Sequence, residues 1–113
     1  MLDIINLTKR KTPKLPWKKI AETILEKNYA LSVILTGDAL IRKLNKTYRK
    51  KGESTNTLSF RFAENEGEIF LNAKYPKEEL FFLFIHSLLH LKGFEHGKKM
   101  LEQEKKYLTK FIK

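Results

Sequence analysis

The chain contains three histidines, His86, His90 and His96, and all fall within eleven consecutive residues. On a helix, His86 and His90 are four residues apart, so their side chains rise from one face about one turn from each other. Two neutral imidazoles at that spacing can share one divalent ion. Gly93 can take the left-handed conformation that ends a helix and turns the chain back. That turn would bring His96 round as a third nitrogen. Three nitrogens suit zinc, although imidazole also accepts nickel, copper or iron. A closed structural zinc site normally takes four ligands, often thiolates, and there is no cysteine here. Three protein ligands leave one position for water, the arrangement of catalytic zinc, which brings the pKa of that water to about 7.

The rival reading is two ordinary core histidines and one surface histidine. It is weakened because both ring nitrogens of each buried imidazole must find partners, and because Gly93 and His96 complete the pattern. The spacing H-x3-H-x2-G-x2-H is also that of metzincin proteases, where a glutamate after the first histidine is the general base. Here that position is Ser87, so peptide hydrolysis lacks its usual proton acceptor. Glu95 is the candidate carboxylate to accept a proton from a ligand imidazole, with a solvated turn acid as the alternative.

The elements that position this constellation follow from periodicity. Leu2 to Leu7 reads as a strand. Trp17, Ile20, Ala21, Ile24 and Leu25 follow helical spacing after Pro16, with Asn28 as a stop. Trp17 could stack on a nucleobase, but its spacing favours core packing. Ala30 to Thr36 reads as a buried strand. Gly37 and Asp38 then lead into a helix with Leu40, Ile41, Leu44 and Tyr48 on one stripe, ended by Gly52. Thr57 to Phe62 alternates, with Leu58, Phe60 and Phe62 expected on the buried side. A turn at Glu66-Gly67 would pair it with Glu68 to Leu71. Pro76, Glu78 and Glu79 mark the start of a helix that runs to Lys92 and is apolar nearly all round, hence central and buried. A last helix from Lys98 to Ile112 should turn Met100, Leu101, Tyr107, Leu108, Phe111 and Ile112 inward. The order β, α, β, α, β, β, α, α predicts an α+β fold: a small mixed sheet of about four strands with helices packed over it, and a zincin-like metal site on the central helix.

Length and charge bound the rest. With 113 residues, the expectation is one domain spanning 1–113. The longest apolar run, Leu80 to Leu91, is too short and too interrupted to span a membrane. The start of the chain lacks a basic segment and cleavage site of the secretory kind. A cytoplasmic protein is therefore expected. The 23 basic residues outnumber 13 acidic ones, for a net charge of +10. The excess sits in two acid-free stretches, Lys9 to Lys19 and Arg42 to Lys51. Such stretches attract polyanions through counterion release, making nucleic acid or another anionic surface a partner class, without implying sequence readout. A solvated, lysine-rich surface is the bland alternative.

The segment His86 to His96, with Leu89-His90-Leu91 and Gly93-Phe94-Glu95-His96, resembles the H-G-x-L-H-L-x-G-Y-D-H signature of the YbeY family. Asn45-Lys46-Thr47-Tyr48-Arg49, followed by Thr55-Asn56-Thr57-Leu58-Ser59-Phe60, is similar to that family's N-x-x-Y-R and T-[DN]-V-L-S-F, and Gly67-Glu68-Ile69 to its G-D-I strand. Ser87, Phe94 and Glu95 depart from the signature, Gly52 stands where the family usually has Asp, and the stretch from Leu71 to Pro76 is abbreviated. The resemblance implies a metal-dependent endoribonuclease and rRNA maturation factor. It implies one zinc ion, or another divalent transition metal, on His86, His90 and His96. His86 and Arg49 would be catalytic, and Arg49, Asn56 and Ser59 would contact substrate. Arg49 could grip a phosphate with two hydrogen bonds. The partners implied are single-stranded rRNA, including the 16S 3′ end, and ribosomal particles, with no DNA or membrane. Metal-bound water and the ribose 2′-hydroxyl both stand as attacking groups, and no side-chain general base is visible. The alternatives are a non-catalytic RNA-binding assembly factor whose metal is structural and, more weakly, a metallopeptidase.

Overall fold

The structure is a computed structural model that describes residues 1–48 and 56–111. The elements are β1 (Leu2–Asn6), α1 (Trp17–Leu25), β2 (Ala30–Thr36), α2 (Asp38–Tyr48), β3 (Thr57–Ala63), β4 (Glu66–Asn72), α3 (Lys77–Lys92) and α4 (Lys98–Phe111). The four strands form one mixed sheet in the order β1-β2-β4-β3. The β1–β2 and β2–β4 pairs are parallel, and β3 runs antiparallel to β4. The α+β architecture is the one expected. Parallel neighbours need long crossovers, which α1 supplies between β1 and β2, and α2 with β3 between β2 and β4.

Register sorts the side chains to two faces. Leu2 and Ile4 pair with Leu31 and Val33, which pair with Gly67 and Ile69. With Leu35 and Leu71 these residues form the floor of the main core. Ile20 and Ile24 from α1, and Leu80, Phe84 and Leu88 from α3, close over it. Nine of the sixteen residues of α3 are buried, which makes it the central helix. Trp17 belongs to this core: it packs edge-on against Phe84 at 4.8 Å and its indole N–H donates to Pro13 O. The opposite face carries Ile34, Leu58 and Phe70 and is covered by α2, whose Ile41 is fully buried. Lys92 Nζ donates to Ile24 O at 3.0 Å, tying the end of α3 to the last turn of α1. No helix among the described residues is long and apolar enough to cross a membrane.

Four local expectations differ from what the chain does. The first concerns β3, where Thr57 and Ser59 are buried beside Leu58, while Phe60 is half-buried and Phe62 is 59% exposed. The sheet is covered on both sides at the start of β3, so its polar side meets α3 and its apolar side meets α2. Thr57 Oγ1 and Ser87 Oγ share a hydrogen bond of 2.6 Å across the first of these contacts. The apolar side continues as an edge-to-face series, Tyr48 to Phe60 at 5.1 Å and Phe60 to Phe70 at 5.8 Å.

The second concerns Gly67, which is a strand residue; the β3–β4 turn is Glu64-Asn65. Gly67 is needed for close approach, because a Cβ there would lie 2.7 Å from Tyr29 Oη and 2.9 Å from Phe60 O. Third, α1 stops at Glu26 with φ 79°, two residues before Asn28. Fourth, Leu101 is 58% exposed on α4, whereas Glu104 is buried with Met100 and Tyr107. Gly52 and Ile112 lie outside the described residues.

Candidate metal centre

Helix α3 begins after Pro76, whose carbonyl accepts the amides of Glu79 and Leu80. Its end is fixed by Gly93, left-handed at φ 112°. There the Gly93 N–H donates to His90 O and the Phe94 N–H to Leu89 O, both at 3.0 Å. This pair of bonds is the Schellman closure that a glycine permits at little cost. The reversed chain places His96 against the two helical histidines. Ring centroids are 4.7 Å apart for His86 and His90, 4.9 Å for His90 and His96, and 5.4 Å for His86 and His96. One donor atom from each ring lies within 4.8 Å of the others; His86 and His90 are partly buried and His96 is exposed.

The outer nitrogens decide the tautomers. His86 Nδ1 lies 2.7 Å from Glu104 Oε2, with the two side chains only 12% and 7% exposed. A carboxylate accepts, so Nδ1 carries the hydrogen, and in the neutral ring Nε2 presents the lone pair. His90 Nδ1 lies 3.1 Å from Phe94 O, another group that only accepts, which fixes the same tautomer. The two Nε2 atoms stand 3.2 Å apart. Two acceptors at that distance repel unless a cation lies between them.

The donor set fits a metal ion on that observation. A tetrahedral ion with nitrogen ligands at ~2.0–2.1 Å requires them about 3.3 Å apart, which the His86–His90 pair nearly matches. His96 is exposed on the turn, with a ring nitrogen within 4.8 Å of the other two ligand atoms. Both helical rings already have their outer nitrogens held, as metal-ligating imidazoles usually do.

Glu104 is the residue that spacing around the histidines missed; Glu95, read as either a ring partner or a solvated turn acid, is exposed. The signal was present in α4, where Glu104 interrupts the stripe Met100, Tyr107, Leu108 and Phe111 with an acid. A carboxylate on the buried side of a helix needs a partner, and His86 is that partner. Ser87 is 1% exposed, and its hydroxyl is bonded to Thr57.

The remaining candidates are placed as follows. Asn56 precedes β3; its backbone carbonyl accepts the Asn72 amide at 3.1 Å, and its Oδ1 accepts the Tyr75 hydroxyl. Ser59 is 5% exposed and shares its sheet face with Thr57, towards α3. Arg49 lies outside the described residues. The helix that leads to it, α2, is anchored at its start, where Asp38 accepts hydrogen bonds from Asn72 Nδ2 and, at 2.9 Å, from Lys74 Nζ. The Lys74 bond first, and then the Asn72 bond, hold the Asp38 carboxyl below the usual carboxylate range.

Comparison with known proteins places the chain among one family over nearly its whole length. The family model described as Endoribonuclease YbeY matches residues 3–112. The Endoribonuclease YbeY of Aquifex aeolicus (strain VF5) is 35% identical over 125 residues, covering 92% of this chain and 83% of the relative. That matched span is longer than this whole chain, so the relative carries residues that are missing here. The Endoribonuclease YbeY of Neorickettsia sennetsu (strain ATCC VR-367 / Miyayama) is 35% identical, covering 79% of this chain and 76% of its own. That of Petrotoga mobilis (strain DSM 10674 / SJ95) is 27% identical, covering 98% and 91%.

Proposed function

Because the chain belongs to the YbeY family of endoribonucleases, we propose that it cleaves RNA phosphodiester bonds internally at one divalent ion held by His86, His90 and His96. The observation that carries this is the pair of Nε2 lone pairs 3.2 Å apart, each fixed by a partner on its outer nitrogen. We assign zinc to the site because three imidazoles without thiolates suit it. Bound there, the ion supplies Lewis-acid activation of a phosphodiester oxygen and of an attacking hydroxyl.

The chain's own residues do the rest. Glu104 keeps the proton of His86 on Nδ1, and the Phe94 carbonyl does the same for His90. With those hydrogens on Nδ1, the Nε2 atoms are the ones left to face the ion. Arg49 is assigned to the phosphate, where a guanidinium can make two parallel hydrogen bonds and counter charge developing on the phosphoryl oxygens. Asn56 is assigned to substrate contact at the start of β3. Ser59, buried on the same strand, is assigned to positioning the substrate-contacting start of β3. The +10 charge supports RNA as the substrate. Single-stranded rRNA, including the 16S 3′ end in ribosomal particles, is the target we infer, with the cytoplasm as the place of action.

The test is a cleavage assay on single-stranded rRNA fragments with the zinc-loaded wild type and His90→Ala. Cleavage by the wild type, with retained RNA binding but no cleavage by His90→Ala, is the expected result. Tight binding without any cleavage by the zinc-loaded wild type would replace the nuclease with a non-catalytic assembly factor. Chelator-sensitive peptide turnover would instead favour a metallopeptidase.

A further inference from the structure

We infer that Phe82 forms a base-stacking subsite beside the metal centre, a reading that rests on the proposed RNA cleavage. Helix α3 is central and largely buried, yet Phe82 on it is 40% exposed. Its position is set by the helix: Glu78, Phe82, His86 and His90 recur every four residues and share one stripe. The Phe82 ring lies stacked on His86, with centroids 6.0 Å apart and planes at 27°. The phenyl ring therefore lies beside the candidate metal-ligand imidazole in a near-parallel, offset arrangement while the residue stays open to solvent.

A flat aromatic surface next to a metal-bound phosphate suits an unpaired nucleobase. Every base has a π-face, so such a contact tolerates sequence, but it requires that the base be out of a duplex. A base on Phe82 would continue the column His86, Phe82, base and set its nucleotide one step from the ion. The stripe also sets the end of the track. Beyond Phe82 come Glu78 and, beside it, Glu79, the acids of the first turn of α3. A phosphate carried past the stacked base would meet these carboxylates, so the stacked nucleotide is the last one held on that side. Phe82 thus gives the site a preference for single strands that the metal alone does not have.

The test uses single-stranded RNA carrying 2-aminopurine, whose fluorescence is quenched on stacking, with Phe82→Ala, Phe82→Leu and Phe82→Tyr. Phe82→Leu keeps an apolar side chain of similar bulk but removes the flat face. The expected result is a rise in KM of about 10-fold or more for the Ala and Leu variants. The loss falls on KM rather than kcat, quenching disappears, and Phe82→Tyr restores both. Zinc affinity should stay at the wild-type value in all three, which separates stacking from support of the His86 ring. Wild-type KM and quenching in Phe82→Leu would overturn the inference, as would a loss that follows zinc affinity. If the wild type binds and quenches the probe through Phe82 but never cleaves it, the subsite stands and the nuclease reading falls.

Discussion

Replacing Glu104 by alanine should cost the site much of its hold on metal while leaving all three ligands in place. Glu104 Oε2 accepts the His86 Nδ1 hydrogen at 2.7 Å between two side chains that are 7% and 12% exposed. A hydrogen bond to a charged group contributes about 1.5–3 kcal/mol net. Without it, the imidazole can rotate, and its proton can move to Nε2, where it competes directly with the ion. Loss of a partner outside the ligand set typically weakens metal binding by ~10–100-fold, or about 1.4–2.8 kcal/mol. The two ranges overlap, so the lost bond is large enough to produce the whole effect. Glu104→Gln keeps a neutral acceptor at the same reach and should lose about half that free energy. Competition against a chromophoric chelator measures the affinities, and a thermal melt of the metal-free proteins checks the fold. A folded Glu104→Ala protein that binds zinc within about twofold of the wild type would refute the reasoning.

Gly93→Ala should destabilise the protein by about 1–2 kcal/mol in thermal melts, through left-handed strain alone, since no atom lies within 4 Å of the added methyl. It should also lower zinc affinity, because the turn carries Phe94 O and His96. Gly67→Ala should cost about 1–3 kcal/mol in denaturant unfolding for the opposite reason, overpacking, since Phe60 O on the neighbouring strand cannot give way. The Asp38 carboxyl, with its pKa lowered by Lys74 and Asn72, favours the folded state above the ordinary carboxylate value of about 4. That contribution is lost as pH falls through the folded value, so Asp38→Asn should make the acid-unfolding limb shallower. RNA binding should weaken steeply with added salt; a flat response in a filter-binding series would count against a phosphate-dominated interface.

Much of this was legible because it is local. Helical spacing placed α1, α3 and α4, and the histidine spacing named three rings that the turn at Gly93 brings together. Family motifs written on one helix and its turn need no long-range information. What escaped depended on partners distant in sequence. Glu104 reads as one more acid on a charged helix until α4 lies against α3 and sets it opposite His86. The inward face of β3 could not be chosen from alternation, because the strand is covered on both sides and its buried threonine and serine meet α3. Gly67 resembled a turn glycine until Tyr29 and the β3 backbone closed around it. The chain's charge pointed to a polyanion, but the basic stretch that ends at Lys51 runs beyond the described residues.

All three candidate ligands sit on one helix and the loop that follows it, so the donor set is local in sequence, whereas its tight hold on an ion depends on Glu104 from α4. The unfolded protein also keeps some affinity for the ion, which reduces the stabilisation that saturating metal can give below the value for a site that exists only in the native state. Glu104, supplied by α4, therefore converts a loosely held ion into a tightly held one only once that helix has docked against α3.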